Sequence, residues 1–273
     1  MTSHPDSPSP FRLARGQRVL VGMIHTGPTP GCPGHCPPVS ELAAEAARQA
    51  ELYQSHGFDA VLVENMFDVP YHRREVPPET IAAMAVIVGA VRAATPSLPC
   101  GVQVLAGANL AALAVAHACG AHFIRCEGFV FGHLADEGSM QADAAGLLRE
   151  RSRLGADHIS IWADIRKKHS SHAITADLRA SDWAMAAEDN LADAVVVTGR
   201  HTGHEADPTW LREVRDATYL PVVIGSGLTA DNISSYLPHA DVFIVGSSLK
   251  FDGNWRKAPD PQRLACMREA VEG

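Results

Sequence analysis

The chain has 273 residues, 46% hydrophobic and 20% charged, enough apolar material for one large domain or two small ones. Its 23 basic residues against 31 acidic ones leave a formal charge of −8, spread along the chain, which argues against a nucleic-acid or anionic-membrane surface and for small-molecule chemistry. No apolar run approaches the ~20 residues that span a bilayer, so membrane insertion is not expected.

Residues 1–16 are polar and rich in Pro and Ser, without the apolar centre of a signal peptide, and read as a disordered lead. From residue 17 to 273 the pattern reads as one domain, because no linker interrupts it. RVLVGMIH (18–25) is a strand, and SELAAEAARQAELYQSHG (40–57) a helix with Ser40 placed as cap and Gly57 as stop. DAVLVEN (59–65) and PETIAAMAVIVGAVRAA (78–94) repeat the alternation, as do CGVQVLA (100–106) and NLAALAVAHACG (109–120). AHFIRCE (121–127) precedes a helix over 140–154, and HISIWAD (158–164) one over 176–190. DAVVVTG (193–199) precedes a helix over 208–217, PVVIGSG (221–227) one over 229–237, and ADVFIVGSS (240–248) one over 260–271.

Each strand is a short, near-continuous apolar run, as when both faces of a parallel sheet are covered. Eight such units in 273 residues predict a single (β/α)₈ barrel of the TIM type. An open doubly wound sheet is the alternative, but GMIHTGPTPGCPG after the first strand lacks the GxGxxG dinucleotide turn.

In a barrel the C-terminal strand ends and the loops beyond them form the active-site mouth. Read in order, those ends supply His25, Glu64 with Asn65, Gln103, Arg125 with Glu127, Asp164, Thr198, Ser226 and Ser247. Any one of them suits a helix cap. Together they place unlike charges in one mouth, as acid–base chemistry requires. The last two strands end in GSG (Gly225, Ser226, Gly227) and GSS (from Gly246 and Ser247), and Gly199 follows the sixth. Glycine lets the backbone approach an anion and serine adds a donor, so these turns predict a phosphate site to which Lys250 adds charge if it faces inward. After the fifth strand, Lys167, Lys168, His169 and His172 follow Asp164, which reads as an active-site rim rather than a solvated basic loop.

Three stretches keep two readings each. CPGHC (32–36) carries zinc-type ligands but no second ligand pair, so a Pro/Gly-shaped loop is preferred. GRHTGHEAD (199–207) reads as a Gly-rich lid, with His201 and His204 as alternative ligands. FVFGHLADEG (129–138) is an insertion whose Phe129 and Phe131 wall either the pocket or a subunit contact, with His133, Asp136 and Glu137 as further polar candidates. The six cysteines, mostly beside apolar runs, suggest free thiols in a reducing cytoplasmic compartment. No cofactor is indicated, and a divalent metal remains open.

The motifs VGMIHTGPTPG, DAVLVENMFDVPY, GVQVLAGANLAALAVAHACGAHFIRCEGFVFGHLADEG, ADIRKKHSSHA, DAVVVTGRHTG and VVIGSGLTADNI resemble the BtpA family, including its SgcQ-type members, over residues 18–268. The resemblance implies a barrel similar to the phosphate-binding barrels of sugar-phosphate and tryptophan metabolism. The family's name derives from a role in photosystem I accumulation, and its SgcQ-like members are linked by gene neighbourhood to sugar phosphates. Family-like positions are His25, Glu64, Asn65, Asp68, Gln103, Asn109, Arg125, Asp136, Asp164, Lys168, His169, Thr198, Gly199, Gly225, Ser226 and Gly227. GCPGHCPP departs from the plainer turn of the family.

The expectation is therefore an enzyme acting on a small phosphorylated molecule, a sugar phosphate or nucleotide-like ester, by lyase, isomerase or glycosyl-transfer chemistry. Asp164, Lys168, His169, Glu64, His25, Arg125 and Glu127 are the catalytic candidates. Gln103, Asn65, Thr198, Gly199, Gly225, Ser226, Gly227, Gly246 and Ser247 are the binding candidates. A non-catalytic assembly factor is the second reading, and a metal-dependent hydrolase using His25, Glu64, Asp164 and His169 the third. A homo-oligomer is the default assembly.

Overall fold

Eight parallel strands close into a barrel in the computed structural model of the protein, which describes residues 11–167, 169–199 and 207–273. The first half contains β1 (Val19–His25), α1 (Val39–Ser55), β2 (Ala60–Glu64), α2 (Pro78–Ala94), β3 (Cys100–Gln103), α3 (Asn109–Cys119) and β4 (Phe123–Cys126). A hairpin of β5 (His133–Ala135) and β6 (Gly138–Met140) precedes α4 (Ala144–Arg153). The second half contains β7 (Ser160–Ile165), β8 (Ser170–Ser171), α5 (Ala180–Asp189), β9 (Ala194–Val197), α6 (Pro208–Ala217), β10 (Val222–Ile224), β11 (Val242–Val245) and α7 (Pro261–Glu272). The barrel order is β1-β11-β10-β9-β7-β4-β3-β2, while β6, β5 and β8 form a separate antiparallel sheet.

Side chains alternate across each strand. Ile124, Ala163, Val195, Ile224 and Phe243 face the helices and join the large outer core. Val21, Met23, Leu62, Phe123, Trp162, Val196, Val223 and Ile244 fill the interior. Phe123 and Trp162 stack with centroids 3.7 Å apart, filling the space left by Gly101, where a Cβ would lie 2.1 Å from the Phe123 ring. Phe11, within the stretch expected to be a disordered lead, lies against both rings from below, at 5.9 and 6.3 Å. The barrel base is thus closed by aromatic rings.

Some element boundaries differ from expectation. Helix α1 begins at Val39 after Pro38, so Ser40 lies in its first turn rather than capping it. The helix expected over 140–154 starts at residue 144, because Met140 pairs with His133 in the hairpin. The helix expected over 229–237 is reduced to a 3₁₀ turn at Ile233–Ser235. There Asn232 bonds back to Thr229 N and Gly227 O, and such local side-chain bonds compete with helix formation. Among the described residues no helix is long and apolar enough to cross a membrane.

Candidate active site

The interior alternation that stacks Val21, Met23, Leu62, Phe123, Trp162, Val196, Val223 and Ile244 continues one step upward. At that level stand His25, Glu64, Gln103, Arg125, Asp164, Thr198, Gly225 and Gly246, one from each strand. His25, Glu64 and Gln103 are direct register partners on β1, β2 and β3. This polar layer caps an apolar core, and six of its eight positions carry side chains. At the other two, Gly225 and Gly246, there is none.

Those two glycines leave room for a cavity of about 250 Å³, lined by Met23, His25, Glu64, Met66, Arg125, Arg263 and the turns 225–229 and 246–248. The Ser226 hydroxyl accepts from Gly199 N at 3.0 Å, tying the β9 and β10 turns together. Gly227 follows with φ +78°, the left-handed conformation that turns the backbone along the cavity wall. Ser248 donates to Leu228 O at 2.6 Å, linking the β10 and β11 turns. Arg263, on the first turn of α7, reaches the same wall and donates to Ser248 O at 3.3 Å.

Opposite stands the pair His25–Glu64, with Nε2 3.6 Å from Oε2 and side chains 6% and 10% exposed. Trp255 meets His25 edge-on at 5.9 Å and Phe67 at 4.7 Å, forming an aromatic rim. An imidazole beside a carboxylate at a cavity wall can take and return a proton near neutral pH.

Arg125 and Asp164 form a buried fork: Nε to Oδ1 is 2.8 Å and Nη2 to Oδ2 is 3.0 Å, with side chains 3% and 1% exposed. Burial opposes the guanidinium charge, but the Asp164 carboxylate outweighs it and holds the group firmly protonated. Asp164, expected to act on substrate, instead gives both oxygens to Arg125, and of the two only Arg125 borders the cavity.

Further round the mouth, Lys167 Nζ lies 3.2 Å from Glu127 and 3.6 Å from Glu137. Burial raises the Glu127 pKa despite Lys167 beside it. The Lys167 pKa is also raised, since the two carboxylates outweigh the opposing effect of burial. Lys167 is thus an inward-facing cation of the loop; Lys168, the residue chosen from the sequence, lies outside the described residues. His169 is exposed, unlike the buried groups of the layer. Arg166 and His169 have φ of +48° and +54°, and such a doubly reversed loop gives no pattern from which to read side-chain direction.

Other candidates have structural duties. Asn65 donates to Asp68 at 2.9 Å and accepts from Leu105 N at 2.8 Å, fastening two loops, so its amide is engaged at both ends. Asn109 holds Asp143 and Glu127 O. Gln103 Oε1 and Thr198 Oγ1 are buried without a hydrogen-bond partner among the described residues. Lys250 does not add charge to the phosphate turns. It is buried against α1, donating to Met23 O, Gln49 Oε1 and Tyr53 OH at 3.2, 3.0 and 3.2 Å. The space comes from Gly22, whose Cβ would lie 2.6 Å from the Tyr53 ring.

His133 is buried in the hairpin, 5.4 Å from His172, and burial pushes its pKa down to about 4. Phe131 packs on Trp183 in the outer core rather than lining the cavity. His201 and His204 lie outside the described residues. Among the described residues no group of three or more His, Cys, Asp or Glu side chains is placed to hold a metal ion. The hydrolase set does not converge, since Asp164 is bound to Arg125 and His169 is exposed.

Comparison with known proteins joins this geometry to a lineage. The BtpA family matches residues 16–273. The chain belongs to the BtpA family. A mitochondrial protein of Caenorhabditis elegans is 42% identical over 265 residues, covering 95% of each chain. The photosystem I biogenesis protein BtpA of Synechocystis is 32% identical, covering 96% of this chain and 90% of its own. Among solved structures, thiamine phosphate pyrophosphorylase from Pyrococcus furiosus superposes with a TM-score of 0.57 at 16% identity, covering 94% of this chain and 96% of that one. Phosphoribosyl anthranilate isomerase from Thermus thermophilus gives 0.57 at 12% identity, covering 93% and 98%. These likenesses establish the barrel fold of this BtpA-family chain.

Proposed function

We propose that this BtpA-family protein is an enzyme acting on a small phosphorylated substrate, a sugar phosphate or nucleotide-like ester. The phosphate lies against turns 225–229 and 246–248 with Arg263 as its cation. His25 and Glu64 supply acid–base chemistry to the group beyond it, and Arg125, fixed by Asp164, positions the substrate between them. The observation that carries the reading is the pair of glycines in an otherwise side-chain-filled layer, which opens a cavity beside two Gly-Ser turns. Loops after the last two strands are where barrels of this type commonly cradle phosphate. A carboxylate opposed by an imidazole suits proton removal next to a carbonyl or anomeric carbon, as lyases and isomerases require.

The name of the Synechocystis relative supports a second reading, a non-catalytic assembly factor. Burying His25, Glu64, Arg125 and Asp164 in one layer speaks against it, since buried polar groups are costly and a scaffold gains nothing from them there.

A thermal-shift screen against phosphorylated sugars and nucleotides tests the proposal. A ligand at 100 times its Kd adds about 2.7 kcal/mol. For a chain of this size that raises Tm by roughly 5–10 °C, at about 2–4 °C per kcal/mol. The shift should shrink in Gly246→Ala, whose new Cβ would lie 3.3 Å from His25 Cε1. No stabilisation by any phosphorylated compound, with binding of a protein partner instead, would favour the assembly reading.

A further inference from the structure

Two thiols above β1 play no part in the chemistry proposed so far. Cys32 and Cys36 frame the turn CPGHC, in which Gly34 takes φ +93° and reverses the chain. The reversal lays Cys36 Sγ back over residue 32, at 3.6 Å from Cys32 O and 3.2 Å from Thr29 O. Cys32 Sγ donates to Asp68 Oδ1 at 3.1 Å. The same buried carboxylate accepts from Thr29 N, Thr29 Oγ1 and Asn65 Nδ2 at 2.8, 2.7 and 2.9 Å. Both thiols are half-buried and within reach of a small reagent, whereas Cys100 and Cys126 are sealed in the core. Burial, followed by the neighbouring Asp68, pushes the Cys32 thiol up to about 12, which leaves Cys36 as the first nucleophile.

We propose that Cys32 and Cys36 close into a reversible disulfide clasp on exposure to a low-molecular-weight disulfide such as oxidised glutathione. The Cys36 thiolate attacks one sulfur of the reagent, whose S–S bond breaks and releases one thiolate. A mixed disulfide then stands on Cys36. Cys32 loses its proton to solvent, attacks Cys36 Sγ and expels the second thiolate, and each departing thiolate takes up a proton from solvent. Two protein thiols are oxidised, the reagent is reduced to two thiols, and the two protons end on the departing sulfurs. Closure withdraws the S–H donor from Asp68, the carboxylate that also anchors Thr29, four residues beyond His25. The clasp thereby couples thiol oxidation to the wall of the cavity. The inference is independent of the phosphate proposal, because detecting it requires no substrate.

The test is intact-mass analysis and non-reducing peptide mapping of the full chain after treatment with oxidised glutathione. Apart from the glutathione adduct on the exposed Cys266, the wild-type protein should lose two hydrogen masses, show Cys32 joined to Cys36, and revert with dithiothreitol. Cys32→Ser should stop at a glutathione adduct on Cys36, and Cys36→Ser should form no internal link. The exposed Cys266 serves as a reagent control in every variant. Asp68→Asn removes the carboxylate that holds the Cys32 thiol protonated and should close the clasp faster, leaving less mixed disulfide; if it does not fold, the wild-type and cysteine-variant maps decide alone. Both loop thiols remaining free after Cys266 is fully derivatised would overturn the proposal.

Discussion

Replacing Asp164 with Asn tests what the polar layer is for. Asp164 meets Arg125 through two hydrogen bonds of 2.8 and 3.0 Å, with side chains 1% and 3% exposed. The variant keeps the size but removes the charge, leaving a buried guanidinium without its counter-ion. Breaking such a pair by removing one partner costs about 3–5 kcal/mol. That is a large part of the ~5–15 kcal/mol stability of an ordinary domain. At about 2–4 °C per kcal/mol the melting temperature should fall by roughly 6–20 °C. Circular dichroism melts at fixed pH and salt would read it. The double variant Arg125→Met with Asp164→Leu should recover most of the loss, because no lone charge then stays buried. If Asp164→Asn melts within about 2 °C of wild type, the fork is not the stabilising unit described, and Asp164 regains its claim to a direct catalytic role.

Other substitutions separate packing from binding. Gly225→Ala puts a Cβ 2.8 Å from Val196 Cγ1 and 3.0 Å from Arg125 Nη2, so it should destabilise the fold by about 1–3 kcal/mol in urea titrations. Gly246→Ala, with a nearest approach of 3.3 Å, should keep wild-type stability to within about 1 kcal/mol and weaken phosphorylated ligands instead. Lys250 gives a pH signature. Burial holds its pKa down at about 7, whereas an unfolded lysine titrates near ~10.4. Between those values the unfolded chain binds the additional proton, so this group's contribution to stability rises with pH from about 7 towards ~10 and is flat below. Stability of wild type minus that of Lys250→Met, measured across that range, should climb accordingly; a level difference would show that Lys250 is neutral, or charged, in both states.

The barrel was legible from the eightfold repeat of an apolar run followed by a helix, and that fold gave the strand ends their meaning. His25, Glu64, Arg125 and Asp164 are nominated for the mouth as polar ends of near-continuous apolar strands; that they share one layer, two residues above Met23, Leu62, Phe123 and Trp162, comes from the structure. What those side chains do there was not legible. The fork between Arg125 and Asp164 depends on β4 and β7 being neighbours in register, with a helix and a hairpin between them in sequence. Arg263 joins the wall from α7, well downstream of the turns that it borders, and no local pattern announces that. That Lys167 turns in to Glu127 and Glu137 follows from the reversal of the loop at Arg166, which sequence periodicity does not encode. Lys250 reads as a charge for the phosphate turns if it faces inward; it is the missing side chain at Gly22 that makes room for Tyr53 and turns the lysine towards it instead.

The stacked Phe123 and Trp162, sealed from beneath by Phe11, give the cylinder a floor. A vessel open only at its top admits and discharges through the same doorway. Under the proposed function, a product would have to depart by that doorway before the next substrate could arrive, and one that keeps its phosphate would compete with it for the same threshold.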